Sequence, residues 1–167
     1  NGELHVGDEV TVLPSGLSSK ISRIESNLEE VMRAGKNQPV ILHLKDDLDI
    51  SRGNTIVPAS ALPVTEKSLE ATICWMDNTP FHSGQKFILQ QNSFRTKAAI
   101  REIHSKIDIH SFGDLESDGT IRLNELAKVS VKTAEAVSYD PFKKLARTGA
   151  FILINEHTNQ TVAAGVI

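Results

Sequence analysis

The end of the chain sets the tightest limit on its architecture. Residues 147–167 read Arg-Thr-Gly-Ala-Phe-Ile-Leu-Ile-Asn-Glu-His-Thr-Asn-Gln-Thr-Val-Ala-Ala-Gly-Val-Ile. Phe151 to Ile154 is a continuous apolar run rich in β-branched residues. Asn155 to Gln160 is polar and turn-prone, and Thr161 to Ile167 is apolar again and ends in small residues. The pattern predicts a β-hairpin that closes the end of a barrel, with Gly165 where a strand bends or admits another backbone.

Strand signals dominate elsewhere. Glu9–Leu13, Ser19–Ile24, Val40–Leu44 and Asn54–Val57 are short, often alternating and separated by turn chemistry such as Pro14-Ser-Gly16 and Asp49-Ile-Ser-Arg-Gly53. Pro58 and Pro63 bracket a segment that cannot sit inside a sheet ladder, and this marks a linker. Beyond it come Leu69–Met76, Lys86–Gln90, Leu126–Thr133 and the terminal hairpin. Ala98–Ile109 is ambiguous: Ile100, Ile103 and Ile107 have helical spacing, while Ile103, Ser105, Ile107 and Ile109 suit a strand. The all-β surroundings favour the strand. Asn27–Arg33 is the best helical candidate. The economical architecture is all-β: two small β-barrels, a partial one over residues 1–60, a linker over 61–68 and a second barrel over 69–167.

Composition narrows the compartment. An apolar fraction of 40% supports folded cores, and 5% aromatics makes them aliphatic. A formal charge of −3 gives no global signal for nucleic acid or an anionic membrane. Cys74 is the only cysteine, so no internal disulfide forms, and no apolar run approaches the ~18 residues that span a bilayer. The expectation is a cytoplasmic protein.

Nucleotide chemistry needs a phosphate cradle. The only Gly-Lys pair, Gly35-Lys36, is followed by Asn37 and has Glu30 where the first P-loop glycine belongs. No Asp is followed by Gly three residues later, and no Asn-Lys pair exists to read guanine. These residues are therefore expected to bind no cofactor or metal and to hold no catalytic group. Ser83-Gly-Gln-Lys86, Ser117-Asp-Gly119 and Arg147-Thr-Gly149 follow the order of serine β-lactamase elements, but the first would have to open a helix and Lys86 begins a strand-like run; three turns is the favoured account. The six histidines lack metal-ligand spacing, although His104, Asp108 and His110 would converge if the backbone folded back. Asp46, Asp47 and Asp49 suit a solvated turn better than a cation site. Cys74 is expected as a small buried hydrophobe. Arg95, Lys97, Arg101, Lys106, Lys143, Lys144 and Arg147 fit solvated strand faces better than an RNA surface, with only Phe94, Phe112, Tyr139 and Phe142 near them for stacking. Trp75 is either core or an interface anchor, with core favoured. Asp140-Pro-Phe142 reads as a rigid turn presenting a ring to the core or to a partner.

Arg147-Thr-Gly-x-Phe-Ile-Leu-Ile154, with Thr161-Val and Ala164-Gly165 after the turn, resembles the closing hairpin of elongation-factor-Tu-like GTPases. Within that group it is most similar to the large (GTPase) subunit of bacterial sulfate adenylyltransferase. Val6-Gly-Asp-Glu-Val10 and Asp49-Ile-Ser-Arg-Gly53 resemble that family's second domain. Trp75-Met-Asp77, Leu123-Asn-Glu125, Asp140-Pro-Phe142 and Arg147-Thr-Gly149 resemble its third. The resemblance implies elongation-factor-Tu-like barrels, the first incomplete at its N-terminus because Asn1-Gly2 falls at the family's first hairpin turn. It implies GTP and Mg²⁺ in a GTPase domain that these residues lack. It also implies a small catalytic subunit as partner, and a parent protein that makes adenosine 5′-phosphosulfate. Candidate interface or motif residues are Asp49, Ser51, Arg52, Gly53, Trp75, Asp77, Asn124, Glu125, Asp140, Phe142 and Arg147. Arg52 is the sharpest of these, since a guanidinium pairs bidentately with carboxylates; the alternative is that it staples its own turn. The competing functional class is the second and third domains of a translation-type GTPase binding aminoacyl-tRNA.

Overall fold

Alternation of buried and exposed side chains organises nearly the whole chain into strands. The computed structural model describes residues 2–111 and 113–167, so Asn1 and Phe112 lie outside the described residues. The chain divides into two units, Asn1–Leu62 and Pro63–Ile167.

The first unit contains β1 (Leu4–His5), β2 (Glu9–Leu13), β3 (Leu17–Ser26), β4 (Glu29–Val31), β5 (Arg33–Ala34), β6 (Ile41–Leu44) and β7 (Thr55–Pro58). The sheet runs β4-β3-β2-β7, with β6 also on β3, and β1 pairs β5 separately. This is a curled half-barrel rather than a closed one. Val10, Ile21, Ile24 and Ala34 form its buried centre, lined by half-buried Val6, Val31, Leu42, Leu44 and Ile56. Its open edges are blunted: β4 has three residues and carries Glu29 and Glu30, and β7 ends in Pro58. The helix expected over Asn27–Arg33 is absent. Asn27 and Leu28 adopt positive φ and turn β3 back into β4, and a hairpin with Ile24 facing Val31 wins over local helix propensity.

The second unit contains β8 (Val64–Trp75), β9 (Phe87–Gln91), β10 (Phe94–Ile107), β11 (Asp114–Leu115), β12 (Leu126–Tyr139), the single turn α1 (Ala146–Gly149), β13 (Ala150–Asn155) and β14 (Thr161–Val166). Strands β10, β12, β8, β14, β13 and β9 pair in that order, and β9 returns to β10, which closes a six-stranded barrel. Residues 64–68, expected in the linker, form the first part of β8, where Val64, Thr65 and Glu66 face Tyr139, Ser138 and Val137. The ambiguous Ala98–Ile109 segment lies mostly in β10. Its helix-like isoleucine spacing has a β-sheet cause: register shifts after Ile100 and Ile103 each insert a residue and reset the pleat.

The core alternates along each strand: Leu69, Ala71, Ile73 and Trp75 on β8, Phe87 and Leu89 on β9, Val129 and Val131 on β12, Phe151 and Leu153 on β13. Trp75 stacks edge-on against Phe81 and Phe87, with ring centroids 5.8 and 6.0 Å away. Gly165 admits a ring rather than a backbone: a Cβ there would lie 2.5 Å from Phe151 Cζ and 2.9 Å from Ile73 Cγ2.

Candidate functional site

Two of the motifs singled out in the sequence meet at one joint of the closed barrel. Trp75 is 1% exposed. Its indole N–H donates to the Thr79 carbonyl at 2.9 Å, and the Thr79 amide donates to Asp77 Oδ1 at 2.9 Å, which fixes the turn that aims that carbonyl. The Trp75 backbone amide donates to Glu125 O at 3.0 Å, and its carbonyl accepts from the Asn124 amide at 2.8 Å. Asn124 reaches that position through a φ of 64°, tolerable for an asparagine. Trp75, Asp77, Asn124 and Glu125 are thus brought together to seat the tryptophan in the core.

The Glu125 carboxylate has a second task. It accepts from the Arg122 amide at 2.7 Å and from Lys106 Nζ at 2.8 Å, while Lys106 also meets Asp118 at 3.0 Å. Lys106, expected on a solvated face, keeps only 10% of its side chain exposed. Burial alone would lower its pKa, but the bonds to Glu125 and Asp118 outweigh that and raise it. The same contacts hold Glu125 below the usual carboxylate range against its own burial. The network ties the loop before β12 onto β10.

Asp140, Phe142 and Arg147 build a second joint. Lys144 pairs with Asp140 at 2.7 Å, and the Asp140 amide donates to Thr148 Oγ1 at 3.3 Å. The Phe142 amide donates to Ile167 O at 2.7 Å, and the Ile167 amide to Gly149 O at 2.8 Å. A Cβ on Gly149 would sit 2.7 Å from Asp140 O and closer still to the Phe142 backbone, so only glycine fits beneath this turn. Buried Gln91, which no sequence motif marks, donates to the Ser138 and Thr148 carbonyls and locks the joint to the barrel. Asn92 does the same through the Arg147 carbonyl at 3.0 Å. The Phe142 ring remains 41% exposed beside the end of β14.

The half-barrel loop behaves differently. In Asp49–Gly53 the turn is closed by Asn54: the Ser51 amide donates to Asn54 Oδ1 at 2.8 Å, and the Asn54 amide to Ser51 O at 3.0 Å. Gly53 supplies a φ of 105°. Arg52 therefore does not staple its turn. Asp49 and Arg52 are exposed, and neither side chain has a hydrogen bond or ion pair among the described residues. Asp46, by contrast, accepts from Ser19 Oγ at 2.8 Å.

His104 turns away from Asp108 and His110. Its Nε2 lies 2.9 Å from Glu70 and 2.8 Å from Ser130 Oγ. That trio is not a nucleophile triad, because Ser130 donates its proton to Glu70 at 2.6 Å and the flanking strand amides are engaged in the ladder. The Ser130 bond also holds Glu70 below the usual carboxylate range. Ser83 opens no helix, only the turn before β9. Cys74 is half-buried on the outer face of β8 rather than in the core.

The model of the "GTP-eEF1A C-terminal domain-like" family matches residues 68–167. The chain belongs to that family. Its members' domain corresponds to the closed barrel, from within β8 to Ile167. Among whole proteins, the chain is 34% identical over its full length to "Sulfate adenylyltransferase subunit 1" of Psychromonas ingrahamii, covering 35% of that protein. It is 35% identical over its full length to "Bifunctional enzyme NodQ" of a Rhizobium species, covering 26%. It is also 34% identical to "Bifunctional enzyme CysN/CysC" of Mycobacterium tuberculosis, covering 27%. The chain spans about a third of the length of the subunit 1 relatives. In solved structures its fold recurs in sup35 complexed with GDP, with a TM-score of 0.87 and 16% identity over 99% of this chain and 41% of that one. The GTP-eEF1A C-terminal domain-like barrel and the preceding half-barrel are thus an elongation-factor-Tu-like pair. No helix among the described residues is long and apolar enough to cross a membrane.

Proposed function

We propose that this chain is the barrel portion of a cytoplasmic sulfate adenylyltransferase large subunit, supporting a GTPase domain and passing its nucleotide state to a small catalytic subunit. The observation that carries this reading is the alignment over the full length of the chain with proteins named sulfate adenylyltransferase subunit 1. In this scheme the catalytic subunit joins ATP and sulfate into adenosine 5′-phosphosulfate and diphosphate. Hydrolysis of GTP, held with Mg²⁺ in the GTPase domain, drives that unfavourable step.

The barrels contribute contacts, not chemistry. Transmission requires at least one contact that is stronger in one nucleotide state than in the other. Arg52 suits that role: its guanidinium is exposed, unpaired among the described residues, and held on a turn closed by Asn54 and Gly53. A lysine keeps the charge but loses the planar fork. In the full-length large subunit assembled with the catalytic subunit, Arg52→Lys should leave GTP hydrolysis intact. The yield of adenosine 5′-phosphosulfate per GTP should fall by about fivefold, the lower end of ordinary coupling energies. An unchanged yield with a normally folded variant moves the coupling contact away from Arg52.

A further inference from the structure

Asp118-Gly119 is the only Asp-Gly pair in the chain, and in such a pair an aspartate can rearrange its own backbone. The Gly119 amide nitrogen attacks the carbon of the protonated Asp118 carboxyl group. A C–N bond forms, and the acid hydroxyl leaves as water with the proton that the nitrogen gives up. Water then opens the cyclic imide at either carbonyl. One opening restores aspartate, and the other leaves isoaspartate, with Cβ inserted into the main chain. Glycine favours the attack because no Cβ shields its nitrogen. A Cβ on Gly119 would itself meet nothing within 4 Å, so the site is not crowded. The Asp118 side chain is 46% exposed, and water reaches it.

Both reacting groups are nevertheless engaged. Asp118 Oδ1 accepts from Lys106 Nζ at 3.0 Å, from the Thr120 amide at 3.1 Å and from Thr120 Oγ1 at 2.9 Å, while Oδ2 accepts from Arg122 at 2.9 Å. The Lys106 bond, followed by those from Thr120 and Arg122, holds the carboxyl well below the usual carboxylate range. An ionised carboxylate is a poor target for the nitrogen and cannot release its oxygen as water. The Gly119 N–H donates to Ser117 Oγ at 3.2 Å. Lys106 is itself fixed, since it also meets Glu125 at 2.8 Å and only 10% of its side chain is exposed. Among the described residues, Arg122 and Glu125 are the other charged groups of this network, and they lie 3.7 Å apart.

We propose that Asp118-Gly119 is a latent site of spontaneous isoaspartate formation and that Lys106 keeps it closed. The consequence of opening it follows from what lies beside it. Fully buried Ile121 accepts from the Phe81 amide at 2.8 Å, so isoaspartate lengthens the main chain next to the core. It also moves the carboxylate away from Lys106, which then keeps Glu125 alone. The chain thus carries a slow chemical route to loosening the loop before β12.

The test incubates the full-length protein and its Lys106→Met variant at mildly acidic pH, each folded and each in concentrated urea. Isoaspartate at residue 118 is read by chromatography and fragmentation of the proteolytic peptide. In urea the two proteins should rearrange at the same rate. Folded, the parent should be at least about tenfold slower than in urea, and Lys106→Met about tenfold faster than the folded parent, as for the loss of one charge-assisted hydrogen bond. Lys128→Met, which releases Asp114 and leaves Asp118 untouched, should match the parent. A folded parent that rearranges as fast as in urea, or no isoaspartate under either condition, overturns the site. A folded Lys106→Met no faster than the parent overturns the role of Lys106. A Lys128→Met as fast as Lys106→Met overturns it too, because loosening of the loop then sets the rate.

Discussion

In Pro63–Ile167 the strands close on themselves, and the conspicuous residues Trp75, Asp77, Asn124, Glu125 and Asp140 are consumed by internal bonds. In Asn1–Leu62 the sheet stays open, and Leu28, Asp49 and Arg52 project without internal partners. Closure removes sheet edges and lets every inward side chain meet others, so rare residue types in the barrel are structural requirements. The half-barrel's core cluster has only four buried members among the described residues, and its turns are held by local polar bonds instead. An unusual residue therefore means something different in each unit: a joint in the second, a free group available for contact in the first.

The largest expected effect is at the barrel's joint. Trp75→Ala removes a buried ring with two aromatic neighbours and should destabilise the second unit by about 4 kcal/mol. Urea unfolding followed by circular dichroism should show that unit's transition moving alone; a joint shift of both would break the comparison. Next is Gly149→Ala, whose methyl meets fixed backbone at Asp140 and Phe142 and should cost about 3 kcal/mol through overpacking. Thermal unfolding checks it, and a neutral outcome would mean the Asp140–Phe142 turn yields easily.

Lys106→Met strips the cation from Glu125 and Asp118. Both carboxylates keep contact with water, so the loss should be about 1–2 kcal/mol, below that of a fully buried pair. The pH dependence follows from the shifts. Glu125 is held below its ordinary 4.5, so its contribution is complete above pH 4.5 and is lost as pH falls through the folded value. Lys106 is held above its ordinary 10.5, so its contribution is complete below pH 10.5 and is lost as pH rises through the folded value. The variant's deficit should therefore be constant between those limits and shrink outside them; a deficit that grows in acid would contradict the network. The smallest effect belongs to the half-barrel loop. Arg52→Ala should change stability by less than about 0.5 kcal/mol, whereas Asn54→Ala, which opens the turn, should cost about 1 kcal/mol. Equal costs would mean that Arg52 is bound after all.

The strands of the barrel were legible because their apolar residues alternate or run together between turn signals, as in Leu69–Trp75 and Phe151–Ile154; their order in the sheet was not. One segment was ambiguous and one reading misled, both for local causes. Ile100 and Ile103 mimic a helix because bulges reset the pleat, and Asn27–Arg33 carries good helix formers in a segment whose pairing is decided by Ile24 and Val31. Among candidate site residues, Trp75 was readable as core from its type. Nothing in spacing reveals that Asp77 orients the Thr79 carbonyl or that Glu125 neutralises Lys106, since those partners meet only once the barrel closes.

The division between a free and a consumed set of residues can be measured directly by hydrogen exchange on the full-length large subunit, alone and saturated with the catalytic subunit. New protection should appear over residues 49–53, while the hydrogen-bonded amides of Trp75, Asn124 and Glu125 stay unchanged. Protection confined to the second unit, centred on the exposed Phe142 ring, with residues 49–53 exchanging as before, would contradict the account.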